Sequence, residues 1–203
     1  EGTMTDGGQD RGDEVLRAFI AMEISDEVRT GLAALQQSLK KAHARVGWVA
    51  PSNIHLTVVF LGDIFRAQVE PMEAVLSDVA AGTPCFEFSV GGTGFFGPPK
   101  SPRVLWVGVQ DSSLALGRFQ ADIAAAVRDF GLKIEDRPFV PHLTLGRVRA
   151  RDGVDELTST LALARNTAYG TVNVRRLLLM QSHLEHRGVR YSVIKEMPLK
   201  GAC

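Results

Sequence analysis

Apolar and polar positions change period several times along the chain, and each change predicts an element. Residues 14–24, EVLRAFIAMEI, form a dense apolar and aromatic run that predicts a strand. Over 25–44 the period becomes helical: Val28, Leu32, Leu35 and Leu39 trace one face, Ser25 is placed to cap, and Asp26 and Glu27 sit at the positive end. A short extended piece and a Pro-Ser-Asn turn lead into NIHLTVVFLG, residues 53–62, which reads as a strand. Residues 66–82 predict a second helix, in which Pro71 must fall in the first turn or at a kink. Two strands joined by a Gly- and Pro-rich loop follow over 85–109, then a helix over 112–131 stopped by Gly131. FVPHLTLGR, residues 139–147, reads as a strand, 152–164 as a short helix, and 171–184 with 189–199 as a closing hairpin joined by EHRG.

The order amounts to two passes through similar parts, each with one His-Leu-Thr strand, and His55 and His142 stand 87 positions apart (142 − 55). That period is longer than the roughly 20 to 50 residues of a solenoid repeat. The expectation is an α+β fold, bilobal and pseudo-twofold, with two antiparallel sheets flanking a central cleft and helices on the outside. Residues 14–203 form this single bilobal domain, and residues 1–13 are set aside as a polar leader or the remnant of a tag.

Strand alternation sends His55, Thr57 and Val59 to one face and Leu56, Val58 and Phe60 to the other. In the second copy His142 and Thr144 oppose Leu143 and Leu145. Two imidazoles that titrate near neutrality can divide proton transfer, one as general base and one as general acid. The Thr57 and Thr144 hydroxyls can donate to phosphoryl oxygens, and Arg147 offers a positive fork to the same anion. Such a set suits in-line displacement at phosphorus without a metal. A lone strand histidine is usually a satisfied or surface residue; the repetition of the whole His-x-Thr unit argues against that reading here. Zinc is the weaker alternative, because no third ligand accompanies the two histidines. His43, His183 and His186 do not repeat the motif and read as surface or loop residues. Residue chemistry alone leaves open which of His55 and His142 is the acid.

Composition narrows the partners. The chain has 203 residues, 45% hydrophobic and 23% charged, as in an ordinary globular protein. Lys plus Arg and Asp plus Glu are both 23, so no net field draws it onto long nucleic acid, and any recognition of RNA must be local to a pocket. Two cysteines, Cys85 and Cys203, argue against a disulfide framework and for a cytoplasmic setting. No apolar run reaches the roughly 18 residues of a membrane span. Neither a metal nor a cofactor is implied, and a cleft built within one chain makes a monomer the default.

These residues resemble the two-histidine phosphoesterase superfamily, specifically the LigT-like RNA 2′,3′-cyclic phosphodiesterases, also called 2′-5′ RNA ligases. The resemblance runs from about Leu16 to Leu199 and rests on RAFIAMEISDEVR, GWVAPSNIHLTVVFLGDI, GGTGFFGPPKSPRVLWVGV, FVPHLTLGRV and the closing LLLMQSHLEHRGVRYSVIKEMPL. It implies hydrolysis of a 2′,3′-cyclic phosphate on an RNA end or nucleotide to a 2′-phosphomonoester, with ligation as the reverse reaction. By the same resemblance His55 protonates the departing 3′-oxygen, His142 activates water, and Thr57, Thr144 and Arg147 hold the phosphate, with no metal. Phe60 stands where the second motif has Arg147, which makes phosphate binding asymmetric. Trp48, Phe95, Phe96 and Phe139 are candidates for stacking on a base, though core packing is the commoner role. The rival readings are a phosphodiesterase for another cyclic nucleotide phosphate or 2′-5′ oligoadenylate, and a non-catalytic RNA- or nucleotide-binding module.

Overall fold

Residues 13–185 and 188–201 are described by the structure, a computed structural model. Along them run β1 (Val15–Met22), α1 (Asp26–Lys40), β2 (Val46–Trp48), β3 (Leu56–Phe65), α2 (Val69–Gly82), β4 (Phe86–Phe96), β5 (Val104–Gln110), α3 (Ala115–Asp129), β6 (His142–Val148), α4 (Val154–Leu163), β7 (Ala168–Val174), β8 (Arg176–Glu185) and β9 (Gly188–Pro198). Residues 1–12 of the expected leader, and His186 and Arg187 of the EHRG turn, lie outside the described residues.

Local chemistry accounts for most boundaries. Ser25 caps α1 by accepting the Val28 N–H at 3.3 Å, and Val28, Leu32, Leu35 and Leu39 are all buried. Pro71 is the third residue of α2, where its missing N–H has no intrahelical partner to lose. Gly131 follows α3 with φ 99°, a conformation that side chains with a Cβ resist.

The strands form one antiparallel sheet in the order β7-β4-β5-β6-β3-β1-β8-β9, with β2 pairing only to β6. The two expected sheets are its two four-stranded halves, which meet through a single pair, Leu56 with Leu143. The repeat is visible in it: β1-α1-β3 supplies the inner strands of one half, and β5-α3-β6 those of the other. α1 leaves β1 yet packs on β7 in the opposite half, while α2 packs on β8 and β9. One apolar core therefore runs through both halves, from Ile20 and Leu56 to Leu105, Leu143 and Val172.

Three expectations change. The run 171–184 is not one strand: it divides into β7, beside β4 at one edge, and β8, beside β1 in the other half. In one continuous strand Arg176 would share the buried face of Val172 and Val174; instead Arg175 and Arg176 are both exposed, and the buried row resumes out of phase at Leu177 in a different strand. His183 lies in β8 rather than in a loop, half-buried, with its Nε2 2.7 Å from the Ser192 hydroxyl of β9, whereas His43 is exposed as expected. Cys85 is disulfide-bonded, so cysteine usage no longer argues for a reducing compartment.

Candidate active site

The seam between the halves is also where the two His-x-Thr segments meet. Antiparallel pairing of Leu56 with Leu143, continued one step each way, brings His55 opposite Thr144 and Thr57 opposite His142. Leu56 and Leu143 are fully buried, and the four polar residues on the other face are half-buried.

Two matching β-bulges complete this face. Ile20 pairs with Val59 and Ala21 with Thr57, leaving Val58 as the extra residue of β3; Leu105 pairs with Gly146 and Trp106 with Thr144, leaving Leu145 as that of β6. Each bulge turns two consecutive residues inward, Val58 and Val59 in one strand and Leu145 and Gly146 in the other. Alternation then resumes out of phase. Phe60, expected to pack, is 64% exposed, and Val59, expected on the cleft face, is buried. Arg147 returns to the face of His142 and Thr144, which strict alternation would have denied it. Gly146 is required at its bulge, because a Cβ there would lie 2.7 Å from Val46 Cγ1 of β2. The amide of buried Gln36 on α1 holds the same bulge, donating to the carbonyls of Leu145 at 2.9 Å and Val49 at 2.8 Å.

The imidazoles are oriented alike. His55 Nδ1 lies 2.7 Å from the Asn53 carbonyl, and His142 Nδ1 lies 2.7 Å from the Val140 carbonyl. A carbonyl only accepts, so each Nδ1 carries the proton and each Nε2 is left to exchange one. His55 Nε2 lies 3.0 Å from the Thr57 hydroxyl. The Phe19 ring stacks on His55 at 4.8 Å and Tyr191 meets it edge-on at 5.0 Å, while Phe96 meets His142 edge-on at 4.8 Å. This apolar packing pushes the His55 pKa below its ordinary value, outweighing the Asn53 hydrogen bond that raises it.

The cleft has two arms that share Thr57, Phe60, Ile134, Glu135, Thr144 and Arg147. The His55 arm, of about 750 Å³, adds Arg17, Phe19 and Tyr191; the His142 arm, of about 970 Å³, adds Phe96, Phe139 and several arginines. All five candidate residues, His55, Thr57, His142, Thr144 and Arg147, thus come together. Of the aromatic candidates, Phe96 and Phe139 reach the cleft, whereas Trp48 and Phe95 pack on the core. Arg17, Phe19 and Tyr191 were not foreseen, and only the spacing of Arg17 and Phe19 by two along a strand hinted at a shared face. Among the described residues no three His, Cys, Asp or Glu side chains gather as a ligand set.

A duplicated antiparallel sheet with one His-x-Thr strand from each half at its seam places the chain among the two-histidine phosphoesterases. The family model for LigT-like phosphoesterases matches it twice, over residues 22–106 and 107–191, and the chain belongs to that family. The Methanothermobacter thermautotrophicus protein named RNA 2′,3′-cyclic phosphodiesterase is 32% identical over 177 residues, covering 87% of this chain and 95% of its own. An Aquifex aeolicus protein of the same name is 29% identical over 191 residues, covering 93% and 100%. Among solved structures, TT0787 of Thermus thermophilus superposes with a TM-score of 0.78 at 25% identity, covering 92% of this chain and 99% of that one. Escherichia coli LigT complexed with 3′-AMP shares the fold, with a TM-score of 0.73 at 22% identity, covering 93% and 100%.

Proposed function

We propose that the protein is an RNA 2′,3′-cyclic phosphodiesterase acting on RNA ends or nucleotides that bear a 2′,3′-cyclic phosphate. The observation that carries this reading is the pair of Nδ1-anchored imidazoles at one seam, with two threonine hydroxyls and the bulge-directed Arg147 on the same face. Thr57, Thr144 and Arg147 hold the non-bridging oxygens of the cyclic phosphate. His142 Nε2 takes a proton from water, the water oxygen attacks phosphorus, the P–O3′ bond breaks, and His55 Nε2 gives its proton to O3′. The product is a 2′-phosphomonoester, and the two histidines have exchanged charge states.

The lowered His55 pKa fits the acid role once the substrate is included. Its apolar cage keeps it neutral in the free protein at neutral pH, and the anionic phosphate beside it favours the charged form. With a 5′-hydroxyl in place of water, the same displacement would form a P–O5′ bond, break P–O3′ with His55 protonating O3′, and leave a 2′-5′ linkage. The cleft is assembled within one chain, so the protein works as a monomer.

The test is product identity. A 2′,3′-cyclic mononucleotide incubated with the protein and a metal chelator is expected to yield the 2′-phosphate, resolved from the 3′-isomer by chromatography. The 3′-isomer alone, or no turnover, refutes the assignment.

A further inference from the structure

Three aromatic rings touch the two imidazoles, and only Tyr191 carries a hydroxyl. On the His142 side Phe96 meets the imidazole edge-on at 4.8 Å. On the His55 side Tyr191 of β9 does the same at 5.0 Å, and the buried Phe19 closes the group, 5.2 Å from Tyr191 and 4.8 Å from His55. Phe96 shows that packing against an imidazole needs no phenol. The Tyr191 hydroxyl has some other use.

Tyr191 is held in a fixed relation to His55. The Asn53 side-chain amide donates to the Val189 carbonyl of β9 at 3.1 Å, while the Asn53 carbonyl accepts from His55 Nδ1 at 2.7 Å. One residue thus ties the imidazole to the strand that carries the phenol. Pairing sets Tyr191 opposite Ser182, and both line the His55 arm of the cleft with Arg17, Thr57, Thr144 and Arg147. Among the described residues the hydroxyl has no hydrogen-bond partner. Burial raises its pKa, outweighing the charges of Arg147 and Arg17, which lower it. At neutral pH the group is therefore an uncharged phenol, a donor without an acceptor, beside two cations. An anion with several acceptor oxygens satisfies all three groups at once, and the phosphate held by Thr57, Thr144 and Arg147 is such an anion.

We infer that the Tyr191 hydroxyl donates to a non-bridging oxygen of the cyclic phosphate, a further hold on the anion made from the side of the acid, His55. This rests on the phosphodiesterase reading and adds a residue to it. Phe60 stands on β3 where the second motif has Arg147; Tyr191 from β9 and Arg17 from β1 supply on the His55 side the polar hold that β3 lacks. The phenol keeps its proton throughout, and its hydrogen bond strengthens as charge gathers on the phosphoryl oxygens.

The experiment compares wild type with Tyr191→Phe, which keeps the ring and removes the hydroxyl, and with Tyr191→Leu, which removes the ring as well. Each is assayed on a 2′,3′-cyclic mononucleotide and titrated calorimetrically with inorganic phosphate. Tyr191→Phe is expected to lower kcat/KM about 10- to 100-fold and to weaken phosphate binding about tenfold, with the urea midpoint and both limbs of the kcat/KM pH profile unmoved. Tyr191→Leu should also move the His55 limb to higher pH, because water then reaches the imidazole. If Tyr191→Phe matches wild type in turnover and phosphate affinity while Tyr191→Leu is impaired, ring packing is the whole role and the inference is overturned. A Tyr191→Phe variant that shifts the His55 limb also overturns it, since the hydroxyl then acts through the imidazole. Failure of wild type to hydrolyse the mononucleotide overturns the phosphodiesterase reading instead, and the phosphate titration still decides whether Tyr191 holds the anion.

Discussion

Gln36→Met tests whether a residue remote from the chemistry holds Arg147 in the site. Gln36 is 1% exposed, and its amide donates to the carbonyls of Leu145 and Val49, the former being the extra residue of the β6 bulge. Methionine keeps the volume and removes both donors. A buried acceptor deprived of its partner costs about 1–3 kcal/mol. The Leu145 carbonyl keeps the Val49 N–H at 2.9 Å, so the loss falls mainly on Val49, and a destabilisation of about 2 kcal/mol is expected. Relaxation of the bulge tends to restore strict alternation, which swings Arg147 away from Thr144. Removing one charge-assisted hydrogen bond worth about 1.4 kcal/mol raises KM for a cyclic mononucleotide about tenfold. Urea unfolding with steady-state kinetics reads both quantities. An unchanged midpoint with an unchanged KM would refute the argument, and a lowered midpoint with normal KM would show that Gln36 supports the fold without positioning Arg147.

His55→Ala and His142→Ala should each cut kcat by about 10²- to 10⁴-fold on a cyclic mononucleotide, with circular dichroism unchanged; near-normal turnover of either folded variant excludes the paired-histidine mechanism. Arg147→Ala should raise KM more than it lowers kcat, and an unchanged affinity for a 2′-nucleotide would count against phosphate binding. Phe60→Ala removes an exposed ring from the cleft and should raise KM about fivefold or more if the ring stacks on the base, whereas an unaffected KM denies it that role. The His55 pKa is lowered in the folded protein, so the unfolded chain takes up this proton first. Stability therefore falls as pH drops from about 6.5 toward the folded pKa, and His55→Asn should flatten the dependence in that window; an identical slope in the variant would contradict it. The His55 limb should also lie at higher pH in kcat than in kcat/KM, because only the former reports the complex with the anion.

The chemistry was legible from short-range patterns because its parts are local. His55 with Thr57 and His142 with Thr144 are two apart in extended chain, so alternation alone put each pair on a common face. The apolar stripe of α1, the cap at Ser25 and the stop at Gly131 were equally local. Gln36 was invisible by the same logic, since one of its acceptors is 109 residues away in sequence. Arg17, Phe19 and Tyr191 surround His55 only after β1, β3, β8 and β9 have paired. Tyr191 reaches the ring from a hairpin 136 positions beyond it (191 − 55).

The residues by themselves determined the element types, the duplication and the chemical kind of site, because periodicity and repeated motifs are carried by neighbours along the chain. Pairing decided the rest. The sheet is continuous because Leu56 meets Leu143, and one apparent strand became two because Arg175 and Arg176 interrupt its buried row. Above all, Arg147 and Phe60 face the cleft because each partner strand pairs past one extra residue, and a bulge is a mismatch between two strands that neither sequence displays alone.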